Sequence, residues 1–280
     1  MYTLPNEASA TTEIRLHFQK GLAYVDSALQ LAEEILSTGK TPAPVQEKLF
    51  IGCQIGLLVS GIRTLHAIRI LCEHGMDEDQ AMLPLRTLIE IVANSKMLNE
   101  GNKIKNAQLY RDFYLIKEYK VLESASRYSA TEQLKEDWRK LLAGRNSYIN
   151  EIKSRLKSKG YKKLRKNNSW FKGGTSISDL VKKARMEAQY DMAYAKGSQV
   201  AHGMNIAHWI VSSANPTEIL IDHTASYKWV PNVLQEAFNL FSVLLLVADD
   251  SLNAGKIEQI KNLWKEAGQY WDEILRREHS

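Results

Sequence analysis

Residues Glu187–Asn205, EAQYDMAYAKGSQVAHGMN, decide how the rest of the chain is read. Tyr190, Tyr194, Ser198 and His202 recur every four residues. On an α-helix that spacing turns each side chain only ~40° from the last, so all four line one face. Glu187, Asp191 and Asn205 fall in the same sector, and Ala193, Gly197 and Ala201 lie beside it, where they let another helix approach closely. A solvated helix has no need of two tyrosines, a serine and a histidine in register. The stretch predicts a packed helix that carries a polar site.

Upstream, helical periodicity dominates. Thr12 to Leu36 repeats apolar residues at helical spacing, and Gly39 is placed to cap its end. Val45 to His74 is the most apolar helix. LRTLIEIVANSKML, Leu85 to Leu98, puts Arg86, Glu90 and Asn94 on one stripe and Leu88, Ile89 and Val92 on the apolar side. Pro84 either kinks that helix or starts it. Lys103 to Arg127 is amphipathic and aromatic-rich, and Thr131 to Ser158 is more charged. Ser176 to Glu187 begins a short helix that runs into, or bends before, the Tyr190 helix.

Downstream, Ile219 to Asp222 and Tyr227 to Val230 read as two short strands. Val233 to Asp250 and Lys256 to Arg277 close the chain as helices, joined at Asn253-Ala254-Gly255. The expected architecture is all-α: a multi-helix antiparallel bundle, with room for one short β-hairpin. Residues 1–280 read as a single helical domain with its core at about 45–250 and a basic loop at 153–174.

Composition agrees with a globular chain. It is 44% hydrophobic and 25% charged, with 6 prolines and 15 glycines, so long unstructured linkers are not expected. The net charge of +5 permits an acidic partner without demanding one. Cys53 and Cys72 lie nineteen helical residues apart. That is about 28 Å, too far for a disulfide, so they read as reduced core residues and point to a cytoplasmic protein. The N-terminal residues do not follow the signal-peptide pattern. Gln54, Arg63, His66 and Arg69 interrupt the apolar run Leu49 to Leu71, so no membrane span is expected there.

Three features carry candidate chemistry. The first joins the Tyr190–His202 stripe to Arg86, Glu90 and Asn94. If the two helices face each other, Arg86 and Glu90 neutralise one another, the hydroxyls complete the hydrogen bonding, and His202 supplies a proton carrier near neutral pH. The same cluster also reads as a network that only fixes helix register. The second is the run Lys153 to Lys172, with nine Lys or Arg residues and no acid. Within it, Lys157, Lys159, Lys162, Lys163, Arg165 and Lys166 can neutralise phosphates, and Trp170 offers a stacking surface for an unpaired base. Its alternative is a solvated loop that Trp170 anchors to the core. The third is Arg69-Ile-Leu-Cys-Glu-His74, which has the loose Arg-x4-His spacing of HEPN ribonucleases. Ile70 stands where that family carries a polar residue, so a basic helix C-terminus is the favoured reading. The sequence predicts no metal site and no bound cofactor: His-x-x-x-His, paired cysteines and phosphate-binding glycine loops are missing.

Taken in order, Leu85-Arg86-Thr87-Leu88-Ile89-Glu90, then Trp170 with Gly173, then Tyr190, Tyr194, Ser198 and His202-Gly203 resemble the bacterial all-helical domain-of-unknown-function family 5677. The resemblance spans roughly Leu49 to Val247. It implies an all-helical fold and a cytoplasmic prokaryotic protein. Its layout is similar to HEPN bundles of toxin–antitoxin and phage-defence systems, from which a homodimer is expected by analogy. The resulting expectation is an RNA- or nucleotide-binding protein, with metal-independent ribonuclease activity as its sharpest form. His202 is then the general acid/base, Arg86 the phosphate-stabilising cation, Glu90 its orienting partner, and Tyr194 and Ser198 positioning groups. The alternative is a non-enzymatic interaction protein or small-molecule sensor.

Overall fold

The apolar periodicity becomes helix almost wherever it was expected. A computed structural model describes residues 12–39, 44–73, 78–158, 170–171, 176–191, 193–194, 210–212, 219–221 and 230–278. The helices are α1 Thr12–Thr38, α2 Lys48–Glu73, α3 Glu78–Asn99, α4 Lys103–Tyr128, α5 Glu132–Ser158 and α6 Ile177–Lys183. Next come α7, helical at 187–191 and 193–194, then α8 Val230–Leu252 and α9 Ile257–Glu278. The protein is an all-α bundle.

Local chemistry sets the helix ends. Asn102 caps α4 by accepting the Lys105 N–H at 2.9 Å. Ser176 and Asp179 form a reciprocal capping box on α6. The chain bends at Arg185, whose φ is 57°, so α6 and α7 are separate helices. α3 stays helical through Pro84, the two ends of the α8–α9 turn, Asn253 and Gly255, both take positive φ, and Gly39 donates its N–H to the Ile35 carbonyl at 2.9 Å as α1 ends.

The small hairpin is present, with one strand moved. β1 Ile210–Ser212 and β2 Ile219–Ile221 pair antiparallel, Val211 opposite Leu220. β2 is the expected strand at Ile219, but its partner precedes it. Val230 opens α8 instead, because Pro231 suits a first helical turn, where its missing N–H costs nothing. Residues 222–229 lie outside the described residues.

The contacts group these elements into two compact units. The first comprises residues 1–42, 54–96 and 185–280. In it α1 and α9 run in opposite directions: Lys20 sits over the Tyr270 ring at 4.7 Å, and Glu34 pairs with Lys256 at 2.6 Å. Tyr24 lies between Phe238 at 6.2 Å and Tyr270 at 5.5 Å. Two glycines allow close helix approach. A Cβ on Gly61 would stand 2.3 Å from Leu244, and one on Gly21 would stand 2.5 Å from the Trp271 ring. Inside this unit Gln54 and Ser95 hydrogen-bond to each other, with Ser95 donating its hydroxyl to Gln54 Oε1 at 2.7 Å.

The second unit comprises residues 43–53 and 97–184. Its frame is the α4–α5 hairpin, antiparallel because Asp112 meets Arg155 while Glu118 meets Arg145. Phe113, Ile116, Leu142, Ile149, Ile152 and Leu156 are buried, and Tyr119 donates its hydroxyl to Asn146. Asp112 has no solvent exposure.

Two helices, Lys48–Glu73 and Asn232–Leu252, reach the length and apolarity of a membrane span. Core helices pass that test too, and 61% of the α8 window lies inside the protein, against 33% of the α2 window.

Candidate functional site

The first unit brings Arg86 and Glu90 of α3 against Tyr190 and Tyr194 of α7. One helical turn separates Arg86 from Glu90, and the Arg86 Nε stands 3.7 Å from Glu90 Oε1. The Arg86 guanidinium lies 3.8 Å from the centre of the Tyr194 ring, a close cation–π contact. Tyr194 in turn stacks on Tyr190, with ring centres 4.4 Å apart and planes inclined by 24°. A guanidinium and two phenol rings thus form one column, with a carboxylate at its side.

The column is half-open. The Arg86 and Glu90 side chains are 28% and 33% exposed, so solvent reaches both charges. Burial nevertheless raises the Glu90 carboxyl above its usual pKa, against the pull of Arg86. Burial, reinforced by Tyr194, also raises the Tyr190 phenol. Asn94, one turn beyond Glu90, is buried and donates its amide to the Glu90 carbonyl at 2.7 Å. Ser198 and His202 lie outside the described residues, so the geometry covers Arg86, Glu90 and Tyr194 of the five predicted catalytic residues.

The sequence did not single out Lys96 and Arg185. Burial lowers the Lys96 amine pKa, and Arg185 adds to that effect while Glu187 opposes it. The basic character of this corner of α3 and α7 depends on the turn at Arg185, which no periodicity announces.

Arg69 is engaged structurally. Its Nε and Nη2 grip Asp26 at 2.5 and 3.0 Å, and its Nη1 holds Glu73 at 2.5 Å. Two carboxylates therefore already hold the guanidinium of the Arg-x4-His pattern. His74 lies outside the described residues.

In the second unit the basic run divides. Lys157 is exposed at the end of α5. Lys159, Lys162, Lys163, Arg165 and Lys166 lie outside the described residues. Arg155 is committed to Asp112 through bonds of 2.7 and 3.1 Å, and the Lys153 amine sits 5.0 Å from the Tyr119 ring centre. Trp170 is 1% exposed and meets Tyr110 edge-on at 5.6 Å. It anchors its segment in the core and has no open face for a base, which corrects its assignment as a stacking surface. Among the described residues no three His, Cys, Asp or Glu side chains gather as metal ligands.

No curated protein and no solved structure matches the chain. The model of a family of unknown function, DUF5677, matches residues 54–215, which hold α3, α7 and every predicted site residue. On that match, covering more than half of its length, the chain belongs to the DUF5677 family.

Proposed function

We propose that this protein binds RNA or a nucleotide through a phosphate received at Arg86, and that it cleaves RNA without a metal ion. The observation that carries the reading is the part-exposed Arg86 guanidinium held 3.8 Å from the centre of the Tyr194 ring, beside Glu90. A guanidinium fixed in this way loses little freedom on meeting a phosphate, and its planar fork suits two phosphate oxygens. In the proposed reaction His202 takes the proton from a ribose 2′-hydroxyl. The 2′ oxygen bonds to phosphorus, the bond to the 5′ oxygen breaks, and the proton passes to that leaving oxygen. Arg86 stabilises the charge that builds on the phosphate oxygens. Glu90 orients Arg86, and Tyr194 and Ser198 position the substrate. The basic run, including exposed Lys157, adds sequence-independent affinity for backbone phosphates. This role fits a phage-defence or toxin protein.

The test incubates wild type, His202→Ala and a charge-neutralised basic-run variant with total cellular RNA in chelator. Cleavage by wild type that His202→Ala abolishes while helicity is retained supports the reading, and cleavage by His202→Ala removes that residue from the mechanism. The Glu90 carboxylate, close enough to compensate Arg86, favours a second reading: a binding protein whose polar column fixes helix register. A folded wild type that leaves RNA intact moves the weight there.

A further inference from the structure

An open cleft of about 440 Å³ runs along α4 in the second unit. That volume falls in the range of small-molecule sites. Tyr110, Tyr114 and Val121 line it along one face of α4, Cys53 of α2 stands at its side, and its surface is overwhelmingly apolar. Two cationic residues, Arg111 and Lys117, also belong to its lining.

Arg111 is incompletely paired. The nearest carboxylate to Arg111 is Asp112, at 3.4 Å. Asp112 already accepts closer hydrogen bonds from Arg155 at 2.7 and 3.1 Å and from Gln108 at 2.7 Å. The Arg111 Nε has no hydrogen-bond partner among the described residues. Glu118, the carboxylate on the cleft, is drawn toward Arg145 at 3.5 Å. The cleft is therefore apolar in surface, with an incompletely paired guanidinium beside it.

We propose that the cleft binds a small amphipathic anion, a medium-chain or aryl carboxylate. The apolar body lies along Tyr110, Tyr114 and Val121, and the carboxylate pairs with Arg111. Between Tyr110 and Val121 the helix rises about 16 Å, enough for a chain of roughly ten carbons. The site belongs to the second unit alone and stands whether or not the protein cleaves RNA.

Cys53 is the built-in reporter. The chain has two cysteines, and Cys72 is buried with its thiol pushed up to about 12 by desolvation. Alkylation of the full-length protein by N-ethylmaleimide, followed by intact mass, reads Cys53 with and without decanoate, and calorimetric titration gives a second readout. Decanoate should slow modification, and decanol, with the same body and no charge, should bind about tenfold more weakly. Arg111→Gln should cost decanoate about the same factor and leave decanol unchanged. Each protection is taken as a ratio within one variant, since Arg111 also acts on the thiol. Binding of neither ligand overturns the proposal. So does equal binding of decanoate and decanol to wild type, which marks unspecific apolar adsorption and needs no variant to detect.

Discussion

Each of the two units is held together internally in a different way. In the first, helices meet through close apolar contact: Gly61 admits Leu244, Gly21 admits the Trp271 ring, and Tyr24 sits between Phe238 and Tyr270. In the second, the α4–α5 hairpin is pinned by polar pairs at intervals along its length: Asp112 with Arg155, Tyr119 with Asn146, and Glu118 with Arg145. The contrast teaches where each unit is fragile. An apolar seam suffers from added volume. A polar seam suffers when one partner is deleted, because a buried group is then left without compensation.

The largest expected effect breaks the polar seam. Asp112→Ala takes the acceptor from the Arg155 Nε and Nη2 and from the Gln108 amide, leaving Arg155 with Glu151 alone, and should cost about 3 kcal/mol, read by denaturant unfolding. A loss under about 1 kcal/mol, the scale of a surface pair, would show that apolar packing holds the hairpin. The next effect tests the apolar seam. Gly61→Val should cost about 1–3 kcal/mol because its side chain collides with Leu244. Gly56→Ala on the same helix meets nothing within 4 Å, and should be stabilising by about 1 kcal/mol through helix propensity. If both substitutions destabilise alike, close approach is not what Gly61 supplies.

The smallest effect sharpens the comparison from inside the apolar unit. Glu236 on α8 has one carboxylate oxygen with no hydrogen-bond partner among the described residues, and burial raises its carboxyl above the usual pKa. The folded state therefore holds this proton at a pH where the unfolded chain has lost it. Wild-type stability should fall as pH rises from the ordinary glutamate value, about 4.3, through the raised folded value. Glu236→Gln does not titrate, so its melting temperature should exceed wild type at neutral pH, with the gap closing near pH 4. A gap that stays constant with pH would mean that Glu236 finds a partner.

Much of this was legible in the sequence, for a physical reason. Helix period and capping are local, so α1, α4, α5 and α9 could be read to within a few residues from their own side chains. The meeting of Arg86 with Tyr194 was legible because both helices carry polar residues four apart on otherwise apolar elements. Long-range pairings were not legible. Asp26 and Arg69 are 43 residues apart, as are Asp112 and Arg155, and nothing in either neighbourhood names the partner. Trp170 shows the same limit, because an aromatic among lysines reads equally well as a platform or an anchor until Tyr110 is found against it. The partner of the Ile219 strand was not legible, because Ile210–Ser212 is only three residues long and too short for an alternating pattern to stand out.

The packing of α1 bears on the order of synthesis. The buried face of α1, with Val25, Ala28, Leu29 and Ala32, finds its partners in α8 and α9. On the ribosome those partners emerge after α2 to α7, whereas α4 and α5 are adjacent in the chain and can pair as soon as both have left the exit tunnel. α1 ends at Thr38 and α8 starts at Val230, so α1 must wait through about 190 residues with its apolar stripe uncovered. Nascent chains halted before α8 should therefore recruit chaperones at α1, while the α4–α5 hairpin on the same chains is already closed.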